Sequence, residues 1–370
     1  MRSANEIDFW RGLALVSIFI NHIPGFSFER VTHRNYGLSD SAELFVFLAG
    51  WALRRVVVNS QEPLGLPRLV LRLGARAVTL YAAQILITML AIALIACAAI
   101  VMDNPLLLEW HNAAAVFQDP VRTHVGLVLL THQLGFFDIL PLYVVLMFGA
   151  PAMAIVHRQA PGALLPLSFG IYAAALSFRL NLPTWPVEGV WFFDPFAWQF
   201  IFVLGFELGN DDGRGVGGLV RRHLAWLRPL AWAGLLVGAW LVLSDYEPDP
   251  TRVPEPKLFF VFDKTFLSPP RLLHFLAVAA AFAGTFAAVL RRVPPLARFL
   301  SMLGRNSLNV FCVGSLLSLA GQLLRVALGG GLMVDSAVLV FGLAALGFTG
   351  WLSELRDRLR RSAAPSPPLG

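Results

Sequence analysis

One uninterrupted apolar run, AVTLYAAQILITMLAIALIACAAIVM at residues 77–102, constrains this chain more than any other feature. It contains no Asp, Glu, Lys or Arg, and it exceeds the roughly 20 residues that an α-helix needs to cross a bilayer. A surface helix of a soluble domain keeps a polar face toward water, which this run lacks. The run therefore predicts a membrane-spanning helix.

The rest of the chain repeats this pattern less cleanly. Only 14% of the residues are charged, against roughly 25% in soluble domains, and the charges fall between apolar stretches. We therefore predict an all-α, polytopic membrane protein with about ten transmembrane helices in one bundle. The predicted spans are residues 7–27, 39–58, 77–102, 134–156, 161–181, 195–210, 224–243, 271–290, 300–325 and 332–353.

Basic residues predict the orientation of these spans. With a cytoplasmic N-terminus, most of the 29 Lys and Arg residues fall in cytoplasmic segments, as the positive-inside rule requires. The opposite segments are acidic, as in DYEPDPTRVPEPK at residues 245–257. Both termini are therefore predicted to be cytoplasmic. The net charge of +6 is explained by topology, and no nucleic-acid partner is expected.

The predicted domain organisation is simple. Residues 1–361 are expected to form a single transmembrane domain, followed by a short disordered tail at 362–370, SAAPSPPLG. Cys97 and Cys312 lie in apolar runs, which argues against a disulfide framework. The histidines are not at metal-ligand spacing, so no metal site is predicted. The glycine motifs that bind nucleotide phosphates are also missing from the sequence.

Ionisable residues concentrate in the first two predicted spans. They are Asp8, Arg11 and His22 in the first span, with Asp40 and Glu43 at the start of the second. Ionisable groups inside a membrane segment are energetically costly and usually serve a function. This region is therefore the candidate active site.

The spacing of Arg11 and His22 places them near one face of a helix. They are eleven residues apart, close to three helical turns, or about 16 Å along the axis. Asp8 precedes Arg11 by three residues and can pair with it. The spacing leaves open whether that pair only fixes helix register or faces a ligand.

His22 is the predicted general base. An imidazole transfers protons near neutral pH, here from a hydroxyl that attacks an acyl carbonyl. Glu43 or Asp40 would orient the ring and stabilise the imidazolium. A histidine that only hydrogen-bonds a neighbouring helix is the alternative, but the number of polar residues in the same hairpin favours catalysis.

A second group of candidates is made of arginines on the predicted cytoplasmic side. They are Arg54, Arg55, Arg72, Arg76, Arg298 and Arg305. Most of these arginines could simply enforce topology and meet anionic lipids; the functional interpretation is that several bind the phosphates of a nucleotide-containing donor, because a guanidinium matches phosphate geometry. Asn306, Ser307 and Asn309 open the ninth span; they either line the same cavity or hydrogen-bond between helices.

Three runs of the sequence resemble the OpgC family. They are DFWRGLALVSIFINHIPG, THRNYGLSDSAELFVFLAG and LGRNSLNVFCVGSLLSL. Members of that family are membrane succinyltransferases of osmoregulated periplasmic glucans, within the acyltransferase type 3 superfamily. The superfamily pattern of a basic residue, ten positions and a histidine matches Arg11 and His22. The resemblance implies that these two residues are essential for acyl transfer.

The resemblance also implies ten spans in the bacterial inner membrane and an acyl-CoA donor, succinyl-CoA, used from the cytoplasm. The implied acceptor is a periplasmic glucan, and no tightly bound cofactor is expected. The donor would bind the arginine cluster, and Arg11 or the Arg34–Asn35 turn would bind phosphate, the succinyl carboxylate or the oxyanion. An acyl-histidine intermediate stays open.

Two other functions fit the residues. One is O-acetylation of another surface polysaccharide or of a lipid-linked sugar. The other is transport of a sugar or lipid, because ionisable residues also mark transport pathways; the sequence shows no inverted repeat to support it. Membrane lipids are expected partners, and the sequence leaves open whether the chain forms a homo-oligomer.

Overall fold

The computed structural model describes residues 3–58, 65–209 and 215–362. Within these ranges the chain is helical, and the only strand-like pairing is an isolated antiparallel bridge between Pro183 and Val190. The all-α prediction is confirmed. The α-helices in these ranges are α1 Glu6–Asn21, α2 Ser41–Val57, α3 Leu66–Val101, α4 Ala114–Gln118, α5 Pro120–Val128, α6 Ile139–Gln159, α7 Leu164–Phe178, α8 Pro195–Leu208, α9 Gly215–Leu243, α10 Pro269–Phe282, α11 Phe286–Arg292, α12 Pro294–Arg305, α13 Ser307–Leu328 and α14 Leu332–Ser362.

Six helices in the described part of the chain are long and apolar enough to cross a membrane. They are α3, α6, α7 with its preceding turn, α9, α13 and α14, and α10 with α11 adds a seventh if that broken pair is one span. Helices α1 and α2 have only 16 and 17 residues. These apolar helices agree with a multi-pass membrane protein. The count of about ten spans and the orientation of the termini stay predictions.

The internal contacts divide the chain into two compact units. The terminal unit contains the described residues up to Glu29 and from Gly284 onward, and the central unit is Arg30–Ala283. The predicted single domain over residues 1–361 stays a prediction. Of the predicted tail, Ser362 is the last residue of α14, and residues 363–370 lie outside the described ranges.

In the terminal unit, α1 packs along α12 and also contacts α13. Two glycines allow the backbones of α1 and α12 to approach closely. A Cβ atom at Gly12 would overlap the carbonyl oxygen of Leu300, and one at Gly304 would overlap that of Asp8. Helices α13 and α14 pack against each other, and the short helix α11 packs on α12.

In the central unit, glycines also allow close backbone contact between a second pair of helices, α2 and α8. A Cβ atom at Gly50 of α2 would overlap the carbonyl oxygen of Phe202, and one at Gly205 of α8 would overlap that of Phe47. Helix α3 packs on α6, α7 on α8, and α9 on α10. Glycine at these contacts is the small residue that membrane helices use where their backbones meet.

Two predicted spans are interrupted in the structure. The span predicted over 300–325 is wrong at its start, because the chain breaks at Asn306 between the separate helices α12 and α13. The span over 271–290 breaks around Gly284, whose φ of +75° is left-handed. Hydrophobicity averaged over about 20 residues does not reveal such breaks, because the few residues at which the backbone changes direction contribute little to the average.

Helix ends shift where local signals are strong. Helix α1 ends at Asn21 rather than near residue 27, because Pro24 disfavours helical backbone at the preceding residue and Gly25 adopts a φ of +69°. Helix α3 begins at Leu66, eleven residues before its predicted span. In that added part Leu69 and Leu73 are buried, whereas Arg68, Arg72 and Arg76 are exposed.

Candidate functional site

His22 stands at the C-terminal end of α1, on the same helix as Arg11. The N–H group of His22 donates to the carbonyl of Ile18 at 3.0 Å, so the helix continues up to this residue. The predicted placement of Arg11 and His22 on one helix is confirmed, and both side chains are half-buried. The carbonyl oxygen of His22 accepts a hydrogen bond from the side-chain amide of Gln322 in α13.

The turn after His22 is held by one ion pair. Arg325 donates to the carbonyl oxygens of Pro24 at 2.9 Å and Gly25 at 2.7 Å. Its Nε lies 3.1 Å from Oδ1 of Asp335, whose side chain is completely buried. Oδ2 of Asp335 accepts hydrogen bonds from the N–H and the hydroxyl of Ser27 at 2.8 and 2.6 Å.

The other end of α1 begins with a capping arrangement. The Asn5 side chain accepts from the N–H of Asp8 at 3.0 Å and donates to the Asp8 carboxylate at 2.5 Å. A carboxylate in the first turn also interacts favourably with the helix dipole. These contacts give Asp8 a structural part in starting α1, and its predicted ligand-binding part stays a prediction.

Arg305 is paired within the terminal unit. Its Nε and Nη2 donate to one oxygen of Glu354 at 3.0 and 2.8 Å, and its Nη1 donates to the carbonyl of Ser3 at 3.0 Å. Glu354 neutralises much of the charge that was predicted to bind a donor phosphate. Ser307 is the first residue of α13 and is half-buried.

The polar residues near the start of α13 make hydrogen bonds to another helix. Asn306 donates to the carbonyls of Met302 at 2.9 Å and Gly350 at 3.4 Å, and Asn309 donates to the hydroxyl of Ser353 at 2.9 Å. Gly350 and Ser353 belong to α14. Of the two interpretations drawn from the sequence, hydrogen bonding between helices is confirmed for these two asparagines.

In the central unit, Asp40 and Glu43 form a capping box at the start of α2. The Asp40 side chain accepts from the N–H of Ala42 at 2.8 Å, and the second oxygen of Glu43 accepts from the N–H of Asp40 at 2.9 Å. A capping box satisfies N–H groups that no helical turn precedes. The pattern D-x-x-E before an apolar run predicts this capping box. The sequence prediction assigned the two carboxylates to catalysis and did not include this role.

Both carboxylates also bind cations from the distant segment around α10. Lys264 Nζ lies 2.5 Å from Asp40 Oδ2, and Arg271 lies 3.7 Å from the same atom. Arg271 donates to Glu43 Oε1 through Nε at 3.1 Å and Nη2 at 2.6 Å. We call these four residues the central ion cluster. Its two positive and two negative charges balance.

A hydroxyl–imidazole pair lies in the same unit. The oxygen of Ser39 is 2.8 Å from Nδ1 of His274, and both side chains are buried. The ring of His274 fits against the backbones of Gly37 and Gly238, where a Cβ atom would collide with it. Because the pair is enclosed on several sides, its geometry fits a stabilising contact better than a nucleophile open to substrate.

The segment between α1 and α2 holds the predicted Arg34–Asn35 turn. Both residues lie in a short 3-10 helix, where Arg34 is exposed and Asn35 is half-buried. Burial lowers the pKa of neighbouring His33 below its ordinary 6.5, and the charge of Asp40 opposes this effect. His33 therefore favours its neutral form in the folded protein.

Among the predicted phosphate-binding arginines, Arg54 is buried and already has an anionic neighbour. Its Nη1 is 3.8 Å from Glu207, and its guanidinium lies over the ring of Phe206. His157 is 3.5 Å from the other oxygen of Glu207. The remaining predicted arginines are exposed at Arg55, Arg72, Arg76 and Arg298.

The structure brings together some predicted residues and leaves others to prediction. Asp40 and Glu43 belong to the central ion cluster. Arg11 lies in α1, and His22 caps the C-terminal end of the same helix. His22 belongs to the terminal unit and the two carboxylates to the central unit. Their partnership in catalysis therefore stays a prediction.

Several charged residues of these clusters were missed by the sequence reasoning. They are Glu207, Lys264, Arg271, Arg325, Asp335 and Glu354. A signal existed for some of them, since Asp335 and Arg325 fall inside predicted spans where a charge is costly. Their partners could not be read from the sequence, because each pair joins different helices or a helix and a distant loop.

The long apolar helices agree with the class of multi-pass helical membrane proteins. Within that class, this chain belongs to the OpgC family, because the family model described as OpgC protein matches residues 3–358. Membership indicates a transferase that takes part in modifying osmoregulated periplasmic glucans. Searches of curated proteins and of solved structures gave no significant match.

Proposed function

We propose that this protein transfers a succinyl group from succinyl-CoA, taken from the cytoplasm, to a hydroxyl of a periplasmic glucan. The observation that carries this proposal is the OpgC family match over residues 3–358, nearly the whole chain. The proposal includes ten spans in the bacterial inner membrane, cytoplasmic termini and a place in the acyltransferase type 3 superfamily. The apolar helices of both units support the membrane setting.

In the proposed reaction, His22 accepts the proton of the glucan hydroxyl, and the glucan oxygen attacks the thioester carbonyl carbon. The carbon–sulfur bond then breaks, and the leaving CoA thiolate takes the proton back from the imidazolium. The products are a succinate ester and free CoA. The half-buried position of His22 at the C-terminal end of α1 supports this role.

Donor binding is proposed for the exposed arginines of the central unit. Arg55, Arg72 and Arg76 are exposed, so their guanidinium groups are accessible to the phosphates of CoA. Arg54 and Arg305 have carboxylate neighbours, and we give them a smaller part in this binding.

Six further residues stay candidates for binding the substrates. Arg11, or the turn of Arg34 and Asn35, is proposed to bind a phosphate, the succinyl carboxylate or the oxyanion. Asp8 would hold Arg11, and Ser307 would line the donor path, together with Asn306 in addition to its hydrogen bonds to Met302 and Gly350. Each of these roles is carried over from the sequence.

For Asp40 and Glu43 the contacts support a structural role more than the orientation of His22 that the sequence suggested. Both carboxylates bind Arg271, and Asp40 also binds Lys264. We propose that they hold these two cations in place. Orientation of His22 by either carboxylate is the second role to be tested.

The proposal is tested by transfer assays on purified protein in liposomes. Labelled succinyl-CoA and a periplasmic-type glucan are supplied to wild type, His22→Ala and His223→Ala. His223 is an exposed histidine of α9 and serves as the matched control. We expect succinylated glucan from wild type and His223→Ala, and a loss of at least about 100-fold in His22→Ala.

Each other result has a definite meaning. Equal product from His22→Ala and wild type would remove His22 from the reaction but keep the reaction. Product with acetyl-CoA alone would replace succinylation by O-acetylation. Absence of product with either donor, from protein shown to be folded, would overturn the acyltransferase proposal and favour transport.

A further inference from the structure

One face of α13 carries three polar side chains that all contact the end of α1 or the turn after it. They are Ser318, Gln322 and Arg325, at positions i, i+4 and i+7 of that helix. Ser318 donates to the carbonyl of Phe19 at 2.9 Å, and Gln322 donates to the carbonyl of His22. Residues with this spacing lie on one helix face, so α13 presents a row of donors along the end of α1.

Arg325 extends this row past the end of α1. Its two terminal nitrogens donate to the carbonyls of Pro24 and Gly25, and its guanidinium lies over the buried ring of Phe26. Gly25 has a φ of +69°, a backbone conformation that favours glycine. The turn therefore presents both carbonyls to a single guanidinium.

Asp335 closes the arrangement from α14. One of its oxygens binds Arg325, and the other accepts both the N–H and the hydroxyl of Ser27. The backbone is thus bound at His22, Pro24, Gly25 and Ser27. A buried ion pair is costly to form and requires satisfied hydrogen bonds, and here those bonds go to the backbone beside His22.

We propose that Gln322, Arg325 and Asp335 are positioning residues that fix the backbone from His22 to Ser27. They thereby set where the imidazole of His22 points. This inference rests on the proposed function of His22 as the base, and it has the three residues act through the His22 backbone, as positioning residues. Their contacts determine how often the imidazole reaches a productive geometry, because small displacements of a reacting group reduce the rate strongly.

A purely stabilising role predicts a different result from a positioning role. Loss of stability alone lowers the amount of folded protein but leaves the turnover of each folded molecule unchanged. Loss of positioning lowers kcat in molecules that are fully folded and bind both substrates normally. It also changes the reactivity of the His22 ring, which can be measured without any transferase assay.

The test compares Gln322→Leu and Arg325→Lys with the control Ser353→Ala in liposomes. Leucine has nearly the volume of glutamine and leaves no unpaired charge, and lysine keeps the charge but cannot bind two carbonyls as a fork. Ser353→Ala removes a buried contact with Asn309 near the start of α13, whereas Gln322 and Arg325 lie toward the end of that helix. Measured quantities are kcat, both KM values, the thermal midpoint and the rate of His22 modification by diethyl pyrocarbonate, located by mass spectrometry.

We expect kcat to fall roughly 10-fold to 100-fold in both positioning variants, with KM unchanged. The rate of His22 modification should change in the same variants and not in Ser353→Ala. Wild-type kcat and wild-type His22 reactivity in Gln322→Leu would overturn the inference, as would equal kcat losses in the control.

The two proposals fail in distinguishable ways. If wild type transfers no succinyl group, the proposed function fails, and the modification rates of His22 still decide the positioning. If Arg325→Lys does not fold, Gln322→Leu decides alone, because that substitution changes no charge.

Discussion

Charged residues inside this protein are arranged as pairs drawn from separate parts of the chain. Glu43 pairs with Arg271, Asp335 with Arg325, and Glu354 with Arg305. An isolated charge in a low-dielectric interior is expensive, so a buried charge needs a partner and hydrogen bonds to its remaining atoms. For each of these residues, the oppositely charged partner therefore determines whether the buried charge destabilises the fold.

The Glu43–Arg271 pair makes this testable. Glu43→Leu leaves the mostly buried Arg271 with only the more distant carboxylate of Asp40, at 3.7 Å, and we expect a loss of up to about 3–5 kcal/mol in the free energy of unfolding. The double variant Glu43→Leu with Arg271→Met should lose less than Glu43→Leu alone, because it removes both charges. Unfolding in mixed detergent micelles, followed by circular dichroism, measures all three proteins.

Arg252→Met is the control for this experiment. Arg252 pairs with Asp249, and both side chains are well exposed, so the substitution should leave stability unchanged. A double variant that is less stable than Glu43→Leu would contradict the account of a buried pair.

At the scale of the helix, two pairs of helices approach each other backbone to backbone. Helix α1 meets α12 at Gly12 and Gly304, and α2 meets α8 at Gly50 and Gly205. Without a hydrophobic driving force between helices in lipid, close packing has to supply much of the association energy. A side chain at these positions forces the helices apart.

Gly205→Ala is expected to destabilise the protein by about 1–3 kcal/mol, because its Cβ atom would overlap the carbonyl oxygen of Phe47. The matched substitution is Gly170→Ala in α7, where the added carbon meets no atom within 4 Å apart from its chain neighbours and the backbone of its own helix. That change should be neutral or stabilising by up to about 1 kcal/mol, because alanine favours the helix. Unfolding midpoints of the two variants, side by side with wild type, measure the difference, and equal effects would remove the close-contact explanation.

At the scale of the whole molecule, the chain ends belong to one unit and its middle to another. Helix α1 packs with α12 and α13, which lie far away in the sequence. His22 and Gln322, which are hydrogen-bonded, are separated by 300 residues. The candidate base therefore depends on contacts that form only after most of the chain is present. A fragment ending before α13 would lack Gln322, Arg325 and Asp335.

The ten-span topology is tested by labelling single cysteines. In a background without Cys97 and Cys312, cysteines are placed at Arg222 and Asp249, on either side of the predicted seventh span. A membrane-impermeant maleimide applied to intact cells should reach position 249 and not position 222, because the acidic loop is predicted to be periplasmic. Permeabilised cells provide the control, in which both positions label. Labelling of both positions in intact cells would contradict the ten-span model.

The apolar pattern by itself predicted a helical membrane protein and put Arg11 and His22 in one helix, and the eleven-residue interval predicted that they lie near one face of it. Helical periodicity is local, so a short stretch contains all the information it needs. The partners of Asp40, Glu43 and Arg305, and the contacts of the turn after His22, were decided by the tertiary structure. Each of those contacts requires two distant segments to be neighbours, and that depends on how all the helices pack together.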